Sequence, residues 1–273
     1  MAGLFLGVDG GGTKTKVVLI DLEGRVRAQR EGGSSYYLQI GLEGLRRVLR
    51  EGIEGALADA GAAPGDVIHA FFGLPAYGER EGRAARAGGW GELFSDEGSA
   101  YWIAVQGLGA FARMSDGRLP STALHRLFRT HFGLAVDLDL CGRVMGENAP
   151  PRDQIAALST LVAVAAAEGD PAAQGIFDRA ADELMQIVEA VRGQLDYPPG
   201  EAARLSYSGG VFRAGEAIMA PFRRRIEAAA QPYRLTEPVL NPSLGAAVYA
   251  ARLGGAVITP RALANLAAAD GGT

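Results

Sequence analysis

Apolar residues follow two rhythms along this chain, and the change between them near residue 100 divides the sequence. Leu4 to Asp9 and Thr15 to Asp21 are short runs rich in aliphatic and β-branched residues, joined by Gly10-Gly11-Gly12-Thr13-Lys14, and this predicts a β-hairpin. Leu22-Glu23-Gly24 marks a second turn, and Arg25 to Gln29 alternates as a third, edge-like strand. Leu45, Val48, Leu49, Ile53, Ala56 and Leu57 then recur at helical spacing, which predicts an amphipathic helix laid over one face of that sheet. The run Val67 to Leu74, after Pro64-Gly65, predicts a fourth, buried strand, so the opening order is β-β-β-α-β.

Beyond a glycine-rich stretch at 87–98 the period lengthens. Tyr101, Trp102, Val105, Leu108 and Phe111 form one helical stripe, and Leu124, Leu127 and Phe128 another. Residues 152–168 and 172–194 predict two further helices, parted by Gly169-Asp170-Pro171, where Asp170 suits a cap and Pro171 a first helical position. A short strand from Leu205 to Ser208 runs into Gly209-Gly210, a last strand lies near Tyr233 to Leu235, and helices over Ser243–Leu253 and Arg261–Ala268 close the chain. No repeat of 20–50 residues is visible.

Length and charge narrow the classes. At about 150 residues per domain, 273 residues predict two lobes. With 48 % apolar and 21 % charged residues the composition is globular. A net charge of −4 and a pI near 5.5 leave no basic footprint for nucleic acid or an anionic membrane, so neither is expected as a partner. Cys141 is the only cysteine, which excludes an intrachain disulfide and Cys-rich metal sites and suits a reducing, cytoplasmic setting. The N-terminus lacks a basic leader, and Ile155 to Ala167 is too short to span a bilayer; the expectation is a soluble chain.

Three glycine clusters carry the candidate chemistry. In Gly7-Val8-Asp9-Gly10-Gly11-Gly12-Thr13-Lys14-Thr15, Thr13 occupies the lysine position of a Walker loop and a strand follows, so that motif and the dinucleotide fingerprint both fail. A tight hairpin fits instead, in which glycines permit positive φ and bare N–H groups approach phosphate oxygens. Asp9 would hold Mg²⁺ through water, with Thr13 and Lys14 offering a hydroxyl and a cation; the plainer alternative is an ordinary glycine turn. The second cluster, Arg86 to Trp102, sets two Trp among carboxylates. Asp96 could accept hydroxyl hydrogen bonds while Trp90 packs on a sugar ring; alternatively Asp96 caps a helix near Ser99 and the Trp residues are core. The third, Gly209-Gly210 after a strand, lets backbone approach an adenosine or phosphate. His69, His125 and His131 form no metal set.

Taken in order, Gly7 to Thr15, Gly88-Gly89-Trp90-Gly91, Asp96-Glu97-Gly98-Ser99-Ala100-Tyr101-Trp102, Ala156-Ala157 before Gly169-Asp170, Gly209-Gly210-Val211 and Pro242 to Ala247 resemble the N-acetylglucosamine kinase and activator-ATPase family of the actin-like sugar kinase superfamily. The resemblance spans most of the chain. It implies an α/β, two-lobe actin-like (ribonuclease H-like) ATPase fold closing on MgATP and an amino sugar. Gly11, Gly12 and Thr13 would then meet the phosphates, Gly89, Trp90, Gly91 and Asp96 the sugar, and Ala156, Gly209 and Gly210 the adenosine. The activator branch carries interface cysteines that this sequence lacks, so the kinase branch is preferred.

Two departures qualify the expectation. Tyr36 stands where the family usually places an Asn that contacts the sugar. Between Leu74-Pro75 and Gly88 lie only twelve residues, 76–87, too few for the family's helix, the strand ending in its catalytic aspartate and its second phosphate loop. The first lobe is therefore expected to be truncated after its fourth strand, to span 1–80 plus 256–273 beside a larger lobe 81–255, and to expose a strand flank that a homodimer would cover. An impaired amino-sugar kinase is the leading reading; a non-catalytic nucleotide or sugar binder and an ATPase coupled to a partner enzyme are the alternatives.

Overall fold

The glycine run bends the chain as its flanks require. In the computed structural model, which describes residues 3–73, 77–80, 82–146 and 149–270, β1 (Leu4–Gly10) pairs antiparallel with β2 (Thr15–Ile20), which pairs antiparallel with β3 (Val26–Gly32). Helix α1 (Tyr37–Ala60), kinked at Gly41, leads to β4 (Val67–Gly73), which lies parallel to β1 and completes a sheet of order β3-β2-β1-β4. Leu74, expected to end that strand, lies outside the described residues.

Two apolar faces sandwich this sheet. Leu4, Leu6, Val8, Val17 and Leu19 pack with Ala56 and Leu57 of α1, while Phe5, Val18 and Ile20 pack under α9 (Pro242–Leu253) and α10 (Pro260–Asp270). A side chain at Gly7 would overlap the backbone of Ser243 and Ala247, so the sheet and α9 meet at van der Waals distance only because residue 7 is glycine. The first compact unit is thus Met1–Leu74 with Glu237–Thr273, and the second is Pro75–Thr236. The chain returns to the first unit at Glu237 rather than at 256, because α9, expected in the larger lobe, presents Ala247, Ala250 and Ala251 to β1, β2 and β4.

The fourth strand also differs from expectation. It is not buried: Ile68 and Phe72 are 55 % and 43 % exposed, and among the described residues β4 is the last strand of its sheet. The short segment after it forms a separate hairpin, β5 (Tyr77–Arg80) against β6 (Arg83–Arg86), within the second unit.

That unit is mainly helical. Helices α2 (Ala100–Ser115), α3 (Ala123–Phe132), α4 (Leu140–Val144), α5 (Arg152–Ala157), α6 (Ser159–Ala167) and α7 (Pro171–Gln194) precede β7 (Ala203–Leu205), α8 (Glu216–Ala228) and β8 (Tyr233–Leu235), the two strands running parallel. Ile103, Phe111, Leu124, Phe128, Val162, Ile176, Phe177 and Ile218 form its core. The buried stripe of α2 runs through Ile103, Ala104 and Gly107, so Val105, assigned to it from spacing, is exposed. The helix expected over 152–168 is two helices meeting at Leu158. Among the described residues no single helix is long and apolar enough to cross a membrane.

Candidate functional site

In the first unit the candidate residues gather at the end of the hairpin. Gly11 N–H donates to the Lys14 carbonyl at 3.1 Å, closing the turn. The segment before α1 docks on it: Ser35 N–H donates to the Gly11 carbonyl at 3.1 Å, as does the Ser34 hydroxyl at 3.3 Å. Tyr36, which precedes α1, donates its N–H to Ser34 Oγ at 3.0 Å, so it belongs to the same corner as the glycine turn. Positive φ was the expected use of the glycines, but Gly10 and Gly11 do not adopt it. Space is the constraint at Gly10, where a Cβ would stand 2.5 Å from Ser35 Oγ. Among the described residues the N–H groups of Gly12 and Thr13 meet no protein acceptor, and Thr13 is exposed. Such outward amides are what a phosphate oxygen requires.

Asp9, the penultimate residue of β1, lies beside Gly73 of β4 and Lys16 of β2. Burial pushes its carboxyl above the ordinary value, and the charges of Lys14 and Lys16 oppose that shift. Among the described residues no three His, Cys, Asp or Glu side chains converge to cage a metal. A single half-buried carboxylate nevertheless fits Mg²⁺, which keeps most of its waters and draws other ligands from phosphates. Lys14, offered to a phosphate by the sequence reading, pairs with Glu31 at 2.7 Å, and that hydrogen bond lowers the Glu31 carboxyl.

In the second unit the loop from Gly88 to Gly98 is built on unusual backbone. Gly88, Gly89, Gly91 and Gly98 have φ of 73°, 71°, 112° and 75°, and Asp96, without glycine's freedom, has φ 67°. What holds Asp96 there is Arg152, the first residue of α5, whose Nη2 donates to Asp96 Oδ2. Ser99 Oγ donates to the same oxygen at 3.1 Å. Arg152 also reaches Glu92 at 3.5 Å and lies 5.0 Å from the Tyr101 ring centre. Ser99 rather than Asp96 caps α2, accepting from Trp102 N–H at 3.1 Å. Trp102 packs against the core, whereas Trp90 is 67 % exposed with the Arg86 guanidinium 5.8 Å from its ring centre. One aromatic is thus structural and the other is presented to solvent.

Ala156 is half-buried on α5, one turn beyond Arg152. Gly209 (φ 115°) and Gly210 are exposed, at the start of a short 3₁₀ turn, Gly210–Ala214; the strand before them ends at Leu205, earlier than expected. A cavity of about 430 Å³ lies elsewhere in this unit, lined in part by Arg192, Tyr197 and Tyr233. Arg192 is committed there, stacked between the two tyrosines and donating to the carbonyls of Pro232 and Glu201. Sequence reasoning missed Arg152, which lies 56 residues from Asp96 with no spacing rule to join them.

Comparison with known proteins identifies the family and the fold. The chain is 25 % identical over 310 residues to the N-acetyl-D-glucosamine kinase of Dictyostelium discoideum, covering 90 % of this chain and 97 % of that protein. Because 310 exceeds the 273 residues present here, that relative carries segments with no counterpart in this chain. It is 30 % identical over 161 residues to the N-acetylmuramic acid/N-acetylglucosamine kinase of Clostridium acetobutylicum, covering 59 % of this chain and 52 % of that one. Among solved structures, a protein assigned as an N-acetylglucosamine kinase from Chromobacterium violaceum superposes with TM-score 0.66 at 23 % identity, over 90 % of this chain and 98 % of that one. A ROK family glucokinase from Streptomyces griseus gives 0.53 at 15 %, over 92 % and 100 %. These likenesses establish the α/β actin-like fold, here with a four-stranded first sheet. The model of the BadF/BadG/BcrA/BcrD ATPase family matches residues 6–81 and again 75–250, the two stretches meeting where the spacer is short. By that match the chain belongs to the BadF/BadG/BcrA/BcrD ATPase family.

Proposed function

We propose that this chain binds MgATP and an N-acetylated amino sugar as a kinase-type protein, and that its turnover is weak or nil. The observation that carries the sugar reading is Asp96, a carboxylate pinned by Arg152 in left-handed backbone within the same 88–98 loop that presents Trp90 to solvent. The names of both relatives support the same substrate class. The amides of Gly12 and Thr13, which meet no protein acceptor among the described residues, and the half-buried Asp9 of β1 support the phosphate role of the hairpin, and Ala156, Gly209 and Gly210 remain the proposed adenosine border.

In phosphoryl transfer the chain must orient the sugar hydroxyl, hold the γ-phosphate and accept a proton. Asp96 would orient, and the hairpin amides and Thr13 would hold; Mg²⁺, when bound near Asp9, neutralises phosphate charge. The base that the family resemblance calls for has no counterpart among the described residues on this reading. The first sheet stops at β4, and the chain passes into the β5-β6 hairpin where the family resemblance calls for a further strand ending in an aspartate. Losing general-base help costs about 10²–10⁴-fold in rate.

A coupled ADP-release assay with and without N-acetylglucosamine, run beside a thermal-shift titration of both ligands, tests the reading. Ligand-dependent stabilisation with sugar-stimulated release far below a full-length relative is expected. Hydrolysis indifferent to sugar would replace it with a partner-coupled ATPase. No shift with either ligand would overturn it.

A further inference from the structure

Three separate segments converge on one guanidinium. Arg152 of α5 donates to Asp96 and pairs with Glu92, both of the 88–98 loop, and faces the ring of Tyr101 on α2. Arg and its two acidic partners are all more than two-thirds buried along their side chains. A planar fork with five donors can serve two carboxylates and stack on an aromatic at once, which an ammonium cannot.

The contacts on Asp96 are one-sided. Arg152 and Ser99 both donate to Oδ2, and among the described residues nothing donates to Oδ1. The carboxylate is therefore oriented through one oxygen while the other remains able to accept. Aspartate tolerates left-handed backbone only at a cost, and the ion pair opposes relaxation of that turn.

We infer that Arg152 is the positioning residue of the amino-sugar site: it fixes Asp96 through Oδ2 so that Oδ1 accepts a ring hydroxyl. This rests on the sugar-binding reading above. Arg152 itself touches no substrate in this account, and its effect passes entirely through the carboxylate.

Calorimetric titration of the full chain with N-acetylglucosamine, and with monodeoxy analogues each lacking one ring hydroxyl, tests the assignment, with affinity for a non-hydrolysable ATP analogue as control. Arg152→Gln is expected to weaken N-acetylglucosamine about 10–100-fold, the range for a lost charge-assisted contact, with nucleotide affinity changed less than about twofold. The loss should vanish for the analogue lacking the hydroxyl that Asp96 accepts. Arg152→Lys should recover part of the affinity, and it carries the test if the glutamine variant does not fold. Equal weakening toward every analogue and the nucleotide would reveal a purely structural role and overturn the assignment, as would unchanged sugar affinity. If the unsubstituted chain binds no amino sugar, the functional reading itself fails and this assignment with it; binding that ignores Arg152 defeats the assignment alone.

Discussion

Thr15, the first residue after the glycine turn, is 1 % exposed and buries a hydroxyl that meets no hydrogen-bond partner among the described residues. Desolvating a hydroxyl without compensation costs about 1–3 kcal/mol, so Thr15→Val, which keeps the shape, is expected to raise stability by about 1 kcal/mol. The check is a higher denaturation midpoint at unchanged slope; a lower one would mean that an ordered water satisfies the group. Asp9 and Asp96 are also locally unfavourable, one through a desolvated carboxyl and the other through positive φ. All three lie in or beside the segments singled out by their glycines, where unfavourable local terms mark function more often than accident. The glycines were legible because a bend is a property of a few neighbouring residues. The orphaned hydroxyl was not, because burial of residue 15 is decided by what packs over the sheet.

Asp170 joins two helices through one side chain. Its carboxylate accepts from Ala172 and Ala173 N–H at 2.9 and 3.0 Å, capping α7, and from Leu124 N–H at 2.7 Å in the first turn of α3. Burial works to raise its carboxyl, but the hydrogen bonds from Thr122, Leu124, Ala173 and Ala172 outweigh burial and hold it below the ordinary value. A carboxyl lowered by folding stabilises fully above the ordinary carboxylate range and loses that contribution as pH falls through the lowered value. Asp170→Ala, which strands buried N–H groups in both helices, is expected to cost about 2–4 kcal/mol near neutral pH, with the deficit narrowing in acid. Denaturation of both chains across pH measures it, and a gap constant down to strongly acidic pH would refute it. Asp170-Pro171 could be read as a helix start because capping is local. The division at Leu158 and the early start of α1 at Tyr37 could not, since apolar periodicity runs through the first and is absent from the second.

At the scale of the molecule the open edge of the first sheet dominates. β4 carries no acidic residue, Lys or Arg, displays Ile68 and Phe72, and has, among the described residues, no neighbouring strand on one side of its backbone. Edges of this kind invite pairing unless a charge blocks them, so the expected homodimer is proposed to form across β4. Sedimentation should find the unsubstituted chain associating and Ile68→Lys shifted toward monomer; a monomer at all concentrations would refute it. The β-β-β-α-β order of the first lobe, the glycine hairpin, the cap at Asp170 and the short spacer before residue 88 were legible in the sequence, because each acts over a few residues or by length alone, whereas the β5-β6 hairpin, α4 and α8 were not. That α9 closes over the first sheet, that β4 is an exposed edge and that Arg152 answers Asp96 came only from the folded chain. Those outcomes depend on which distant surfaces exclude water together and which buried charge finds its partner, and no pattern of neighbouring residues encodes either.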